Sequence, residues 1–220
     1  MSMQDDEKRL AAQAAAEVVV GGMTVGLGTG STVAHLLDAL AARSLDIRCV
    51  STSTATEESA RRLGIRTESF DRVDRFDIAI DGADQVAPDF WLVKGGGAAH
   101  TREKIVAASA DRFVVIVDGS KIVDAITAPI PIELLDYGLE STLRRLAAHL
   151  DGPVVRRDVP VSPDGGVIVD FLGSVDRPGD LASAISATPG VVEHGLFGPE
   201  LVSAVVVANG ADVRWLDATG

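Results

Sequence analysis

The chain has 220 residues, of which 46% are apolar, and it carries a formal net charge of −12 at pH 7. This length and apolar content are sufficient for one large domain, or a domain with a smaller partner. The negative charge argues against a nucleic-acid partner, which would require basic surface to neutralise phosphates. No apolar run approaches the roughly 20 residues that span a bilayer, and the single cysteine, Cys49, excludes an internal disulfide. We therefore predict a cytoplasmic protein with no membrane partner.

The predicted elements in the first two thirds of the chain alternate between apolar strands and helices, the pattern of a parallel sheet with crossover helices. The predicted strands are at 24–28, 47–50, 76–81 and 113–118. The predicted helices are at 5–20, 31–43, 55–63, 99–110 and 138–150. From residue 128, a succession of strand, turn, strand and helix indicates a small α+β unit. The apolar run at 200–210 is predicted to be a buried strand of either sheet.

Small, polar and charged residues follow each of the four predicted strands. The segments are GTGST, STSTAT, DGADQ and DGSK, in chain order. Ligands of open α/β sheets bind at the carboxyl ends of the strands. Because all four segments occupy that position, we expect them to form one site.

The first of these segments, GLGTGST at 26–32, is not a dinucleotide fingerprint, because Ser31 stands where a third glycine would be required. It is not a Walker A loop either, since no Gly-Lys-Ser/Thr follows. Thr29, Ser31 and Thr32 open a predicted helix, where free amides and hydroxyls bind phosphate. An ordinary helix cap explains the same residues equally well. For STSTAT at 51–56, capping is the favoured interpretation.

Two acids, Asp81 and Asp84, flank Gly82 in DGADQV. Carboxylates this close in sequence can bind a metal, orient sugar hydroxyls or act as an acid and base pair. An Asx-type turn is the simpler alternative. The four histidines of the chain have no ligand spacing, so no metal site is predicted.

The segment KGGGAAHTREK at 94–104 places a lysine before three glycines and an acid, Glu103, early in a predicted helix. Consecutive glycines weaken regular structure, so the segment is either a plain turn or a backbone that closely approaches a ligand. A helix N-terminus stabilises the Glu103 carboxylate, whereas burial raises the pKa of a carboxyl group, so the residues alone leave its basicity open.

In this order, GLGTGST, DGAD, KGGGAAHTREK and DGSK resemble ribose-5-phosphate isomerase of the A type, and the similarity continues through PIPIEL and ATPGVVEHGLF. The resemblance implies a metal-free and cofactor-free interconversion of D-ribose 5-phosphate and D-ribulose 5-phosphate through a cis-enediolate, in the pentose phosphate pathway. It also implies a homodimer or homotetramer. The implied α/β fold has a Rossmann-like, mostly parallel sheet with helices on both faces, at 1–127 and completed by 203–220. A small ferredoxin-like α+β domain at 128–202 would carry oligomer contacts.

By position in these motifs, Glu103 matches the general base of the family, and Asp81, Asp84 and Lys94 match its substrate-handling catalytic residues. The implied substrate-binding residues are Lys8, Thr29, Gly30, Ser31, Thr32, Asp81, Gly82, Ala83, Asp84, Lys94, Gly95, Gly96, Gly97 and Lys121. Two residues depart from the common pattern of the family: Gln85 stands where many relatives have an acid, and His100 where an apolar residue is common.

Two alternatives are a related sugar-phosphate isomerase and deaminase, and a sugar-phosphate-sensing domain. The deaminase chemistry would call for a catalytic histidine near the acids, for which His100 is the candidate. A sensor should lack the base, whereas this chain has Glu103.

Overall fold

The computed structural model describes residues 2–218, which form six α-helices and thirteen β-strands. In chain order these are α1 (Met3–Glu17), β1 (Thr24–Leu27), α2 (Ser31–Arg43), β2 (Arg48–Ser51), α3 (Thr54–Arg62), β3 (Ile78–Asp81), β4 (Gln85–Val86), β5 (Leu92–Val93), α4 (His100–Ala108), β6 (Phe113–Asp118), β7 (Ile130–Leu134), α5 (Leu139–His149), β8 (Val154–Arg156), β9 (Val167–Phe171), α6 (Pro178–Ser186), β10 (Val191–His194), β11 (Leu196–Phe197), β12 (Ala204–Asn209) and β13 (Asp212–Asp217). Short 3-10 turns lie at Phe70–Arg72, Gly119–Lys121 and Pro199–Leu201.

The chain divides into two compact units. One, called here the parallel-sheet unit, contains the described residues up to Ala83, Arg102–Ile122 and the described residues from Pro199 onward. The other, called the antiparallel unit, contains Asp84–Thr101 and Val123–Gly198. Helix α4 therefore begins in the antiparallel unit and continues in the parallel-sheet unit.

The parallel-sheet unit is built on a six-stranded sheet with the order β13-β12-β6-β3-β1-β2. All neighbouring strands are parallel except the antiparallel pair of β12 and β13. Strands β1, β3 and β6 are buried along their whole length, as expected for parallel strands covered on both faces. The apolar run at 200–210 thus joins this sheet as β12, beside β6.

The helices of this unit bury residues at helical spacing against the sheet. Helix α2 contributes Val33, Leu36, Leu37 and Leu40, which fall on one face because they are three or four residues apart. Helix α1 buries a series of alanines, whose small side chains allow close packing. No helix in the described part of the chain is both long and apolar enough to cross a membrane.

The antiparallel unit contains two sheets. Strands and helices from β7 to β10 follow in the order β-α-β-β-α-β, and their sheet has the order β10-β7-β9-β8 with every pair antiparallel. This is the ferredoxin-like arrangement. A second, three-stranded sheet has the order β11-β5-β4.

The predicted α/β fold, with a mostly parallel sheet and a small ferredoxin-like domain, is confirmed. The boundaries of the units differ from the predicted ranges 1–127 and 128–202. Residues 84–101 group with the antiparallel unit, because β5 pairs with both β4 and β11. The backbone N–H of Val123 also donates to the carbonyl of Val86 at 3.0 Å. The pairing of β5 with β11 and the contact of Val123 with Val86 link segments far apart in sequence, which no local pattern indicated.

Candidate active site

Asp81, at the end of β3 in the parallel-sheet unit, is buried and fixed by backbone donors. Its Oδ1 accepts hydrogen bonds from the N–H of Thr29 at 3.0 Å and of Gly82 at 2.7 Å. Because β1 and β3 are parallel neighbours, their carboxyl ends lie side by side, and this brings the two loops together. Gly28 leaves no room for a side chain, since a Cβ there would lie 1.8 Å from Cγ of Asp81. The carboxylate is thus confined on both sides.

The hydroxyl loop, Thr29–Thr32, meets donors from two other segments. The Oγ1 atoms of Thr29 and Thr52 are 2.8 Å apart. Helix α2 begins at Ser31, and Gly30 precedes it with φ = +112°, a conformation that favours glycine. The Nζ of Lys8 donates to Oγ of Ser31 at 3.0 Å. A helix N-terminus, hydroxyls and an ammonium group therefore converge here, which is a suitable set of donors for a phosphate.

The other two strand-end segments are fixed by caps. Ser53 caps α3 by accepting from the N–H of Thr56 at 3.2 Å, so the capping interpretation of 51–56 is confirmed. After β6, the buried carboxylate of Asp118 accepts from the N–H of Ser120 at 3.1 Å and starts the 3-10 turn that carries Lys121. Lys121 is half-buried.

Glu103 lies in the first turn of α4, where the helix N-terminus stabilises a carboxylate, and only 5% of its surface is exposed. Further along α4, Val106 packs against β1 so closely that a Cβ on Gly26 would lie 2.4 Å from its Cγ1. The helix is therefore seated directly on the sheet, and this contact fixes Glu103 within the parallel-sheet unit.

In the antiparallel unit, the glycine loop, Lys94–Gly97, starts from a buried lysine. The N–H of Lys94 donates to the carbonyl of Gly195 at 2.8 Å, and its Nζ lies 5.4 Å from the ring centroid of Phe197, within range of a cation–π interaction. Gly95 has φ = +104°, and a Cβ there would lie 2.7 Å from Nδ1 of His100. Gly96 and Gly97 are exposed.

Asp84 is also in the antiparallel unit, and it is exposed. Its Oδ2 accepts from the N–H of Gly96 at 2.8 Å. Asp81 and Asp84 are thus held by different partners although they are three residues apart in sequence. Ala83, which separates Gly82 from Asp84, is the last residue of the parallel-sheet unit before the chain crosses to the antiparallel unit.

Gln85 and His100, the two residues that depart from the family pattern, each contact a segment that is distant in sequence. Gln85 donates through Nε2 to the carbonyl of Thr127 at 2.8 Å and accepts from the N–H of Thr127 at 2.9 Å. His100 is fully buried, and its Nε2 lies 3.4 Å from the carbonyl of Glu193. Both side chains therefore support the fold around the motifs. Among the described residues, no group of three or more His, Cys, Asp or Glu side chains could hold a metal ion.

A sequence profile of ribose 5-phosphate isomerase A (phosphoriboisomerase A) matches residues 48–212. The chain is 48% identical over 203 residues to ribose-5-phosphate isomerase A of Caulobacter sp. (strain K31), an alignment that covers 88% of this chain and 90% of the relative.

The chain therefore belongs to the ribose 5-phosphate isomerase A family.

Solved structures of this family agree with the fold. The ribose 5-phosphate isomerase A of Neisseria gonorrhoeae superposes with a TM-score of 0.93 at 33% identity, covering 99% of this chain and 98% of that one. A D-ribose-5-phosphate isomerase in complex with phospho-erythronic acid gives a TM-score of 0.91 at 33% identity, covering 99% and 100% of the two chains. Membership in the ribose 5-phosphate isomerase A family makes the protein an isomerase.

One residue that contacts the glycine loop was missed by the sequence interpretation. The guanidinium of Arg157 donates from Nη1 to the carbonyl of Gly95 at 2.7 Å. The two residues are 62 positions apart. The surrounding PVVRRDVPV had indicated only a strand of the small α+β unit.

Proposed function

We propose that the protein interconverts D-ribose 5-phosphate and D-ribulose 5-phosphate, with Glu103 as the base that moves a proton between C2 and C1 through a cis-enediolate. The observation that carries this proposal is the buried carboxylate of Glu103 in the first turn of α4, in the TREK segment, which lies within the range that the family profile matches. Proton abstraction beside a carbonyl requires a positioned base. In the forward direction, Glu103 removes the proton from C2 and returns it to C1 of the same intermediate.

Charge that develops on the enediolate oxygen requires fixed donors, and the glycine loop is proposed to supply them. Lys94 has only 3% of its surface exposed, so its ammonium acts in a medium less polar than water. The exposed glycines that follow allow the backbone amides to approach a sugar without side chains in between. Donors that are already in place when the charge appears stabilise it without reorganisation.

The remaining acids and cations are assigned to substrate handling. Asp81 and Asp84 would transfer hydroxyl protons, including those moved in opening the furanose ring. Thr29–Thr32 and Lys8 would bind the phosphate, and Lys121 would make a further contact with the ligand. A chain with a net charge of −12 needs such local cations to attract an anionic substrate. The contact of Lys8 with Ser31 supports this role.

A solved relative is in complex with phospho-erythronic acid, and we propose that this protein binds the same compound. Its carboxylate has two oxygens on one carbon and a negative charge, which resembles the charge pattern of the enediolate. A transition-state analogue binds more tightly than substrate when the donors are placed for the developing charge. We also propose that the protein forms a homodimer or homotetramer and is located in the cytoplasm.

The test compares the purified wild-type protein with Glu103→Gln and with a control, Glu140→Gln. Glu140 is also in the first turn of a helix, α5, but it is exposed. We expect chelator-resistant conversion of ribose 5-phosphate by the wild type and the control, and a loss of about 10²- to 10⁴-fold in kcat for Glu103→Gln. Phospho-erythronic acid should still bind the variant. Wild-type turnover by a folded Glu103→Gln would refute the assignment of the base.

A further inference from the structure

Arg157, immediately after β8, connects the ferredoxin-like sheet to the glycine loop within the antiparallel unit. Its guanidinium forms a fork with Asp170 of β9: Nε donates to Oδ2 at 2.9 Å, and Nη2 donates to Oδ1. The backbone N–H of Arg157 donates to the carbonyl of Ile168 at 3.0 Å, so the residue is anchored at both ends. Each of the two charged side chains is only 17% exposed.

The free side of the fork is directed at the glycine loop. Nη1 of Arg157 donates to the carbonyl of Gly95 at 2.7 Å and lies 3.5 Å from the carbonyl of Gly96. The carbonyl of Gly95 also accepts from the N–H of Ala98 at 3.1 Å, which closes the turn of the loop. An arginine is suited to this arrangement because its planar group presents several donors in fixed directions.

One peptide group, that between Gly95 and Gly96, is therefore fixed by opposite charges at its two ends. Its carbonyl oxygen faces the guanidinium of Arg157, and its N–H faces the carboxylate of Asp84 at 2.8 Å. Rotation of this peptide by half a turn would direct the carbonyl at a carboxylate and the N–H at a cation, so both contacts would become repulsive. Glycines on both sides would otherwise permit such a rotation, since neither has a Cβ.

We propose that Arg157 is a positioning residue for the isomerase reaction: together with Asp84 it holds the Gly95–Gly96 peptide in a single orientation, and Asp170 holds Arg157. The inference rests on the proposed role of the glycine loop in binding the enediolate. For catalysis, what matters is the orientation of the loop amides, because they stabilise developing charge only if they are correctly placed before the reaction. Arg157 itself does not touch the reacting atoms.

The central experiment measures kcat and KM for Arg157→Gln beside the matched control Arg156→Gln. Arg156 is the neighbouring residue, is exposed, and undergoes the same loss of charge. We expect kcat/KM of Arg157→Gln to fall by about 10²-fold, mainly in kcat, as for other small misplacements of a reacting group. The affinity for phospho-erythronic acid should fall by a similar factor to kcat/KM. The control should stay within about twofold of the wild type.

Further variants separate positioning from general stability. Arg157→Lys keeps the charge, but a single ammonium group cannot bind both oxygens of Asp170 and the carbonyl of Gly95 at the same time. We therefore expect a kcat between those of the wild type and Arg157→Gln. Ethylguanidinium added to Arg157→Ala should restore part of kcat, an effect that a purely structural role would not give. Asp170→Asn should lower kcat less than Arg157→Gln, because the contact with Gly95 remains. If circular dichroism shows that Arg157→Gln does not fold, Arg157→Lys decides the question by the same kinetic criterion.

Lys94→Gln, measured in parallel, distinguishes failure of this inference from failure of the proposed loop function. If Lys94→Gln is impaired while folded Arg157→Gln keeps kcat/KM within about threefold of the wild type, only the positioning role is overturned. If Lys94→Gln is as active as the wild type, the loop does not act on the enediolate, and the inference falls with it. Loss of activity in both variants, with partial rescue by ethylguanidinium, supports the inference.

Discussion

The two acids of the DGAD motif illustrate how differently the two units hold an acidic side chain. Asp81, in the parallel-sheet unit, is only 3% exposed and is held by backbone amides at adjacent strand ends. Asp84, in the antiparallel unit, is exposed, and its partner is an amide of the glycine loop. In one unit the sheet immobilises the carboxylate. In the other, charged side chains immobilise a loop that has no regular structure.

The largest effect is expected from adding a methyl group where the sheet confines Asp81. In Gly28→Ala the new Cβ would lie 1.8 Å from Cγ of Asp81, and this carboxylate is almost fully buried, so it cannot simply turn into solvent. We expect kcat/KM to fall by about 10²-fold, because displacement of about 1 Å has that effect on reacting groups. The free energy of unfolding should fall by about 1–3 kcal/mol, as for other overpacked sites. Steady-state kinetics and urea titration measure the two quantities.

Gly21→Ala is the control for this variant, because nothing lies within 4 Å of a Cβ built on Gly21. It should retain wild-type kinetics and stability. If Gly28→Ala were folded and as active as Gly21→Ala, the fixed position of Asp81 would not matter for the reaction. The difference in how the two acids are held would then have no effect on activity.

A smaller effect is expected from the corresponding change in the antiparallel unit. In Gly96→Ala the new Cβ would lie 2.8 Å from Oδ1 of Asp84, but this exposed carboxylate can rotate into solvent. The hydrogen bond from the N–H of Gly96 would then be lost. We expect about a tenfold decrease in kcat/KM, which corresponds to one charged hydrogen bond, and a change in unfolding free energy below about 0.5 kcal/mol. A loss of stability equal to that of Gly28→Ala would show that the loop is as rigid as the sheet.

The same contrast explains what the sequence could predict. Helix α2 was predicted at 31–43 and β6 at 113–118, and both ranges agree with the structure because apolar spacing and glycine turns define them locally. The position of the hydroxyl loop could be predicted, because the carboxyl ends of parallel strands lie at one edge of a sheet. The contact between Arg157 and Gly95 follows from no such rule. It depends on how β8 and β9 pair, and it joins two residues that are 62 positions apart in sequence.

The contact-based units divide the chain differently from the predicted domains for a similar reason. Strands β4 and β5 have two residues each, too few to show an alternating pattern, and β5 is stabilised by pairing with both β4 and β11. The sequence therefore assigned 84–101 to the neighbouring domain. The motif residues were predicted by resemblance to a family pattern in which glycines and acids occur at fixed spacing. Their supporting contacts, such as that of Gln85 with Thr127, come from segments distant in sequence.

The smallest predicted effect uses Cys49 of β2 as a probe of the parallel-sheet unit alone. Burial raises the pKa of the Cys49 thiol from 9.0 to about 12, because a buried thiolate is poorly solvated. The folded state thus retains a proton that the unfolded state releases above pH 9.0, so stability is fully present below that pH and decreases as pH rises toward 12. Between pH 8 and pH 10, we expect the wild type to lose about 1 kcal/mol more unfolding free energy than Cys49→Ala.

Iodoacetamide at pH 8 should modify the Cys49 thiol only when the parallel-sheet unit opens. Rapid labelling of the folded protein would show that the parallel-sheet unit opens readily, which would contradict the rigid setting inferred for Asp81.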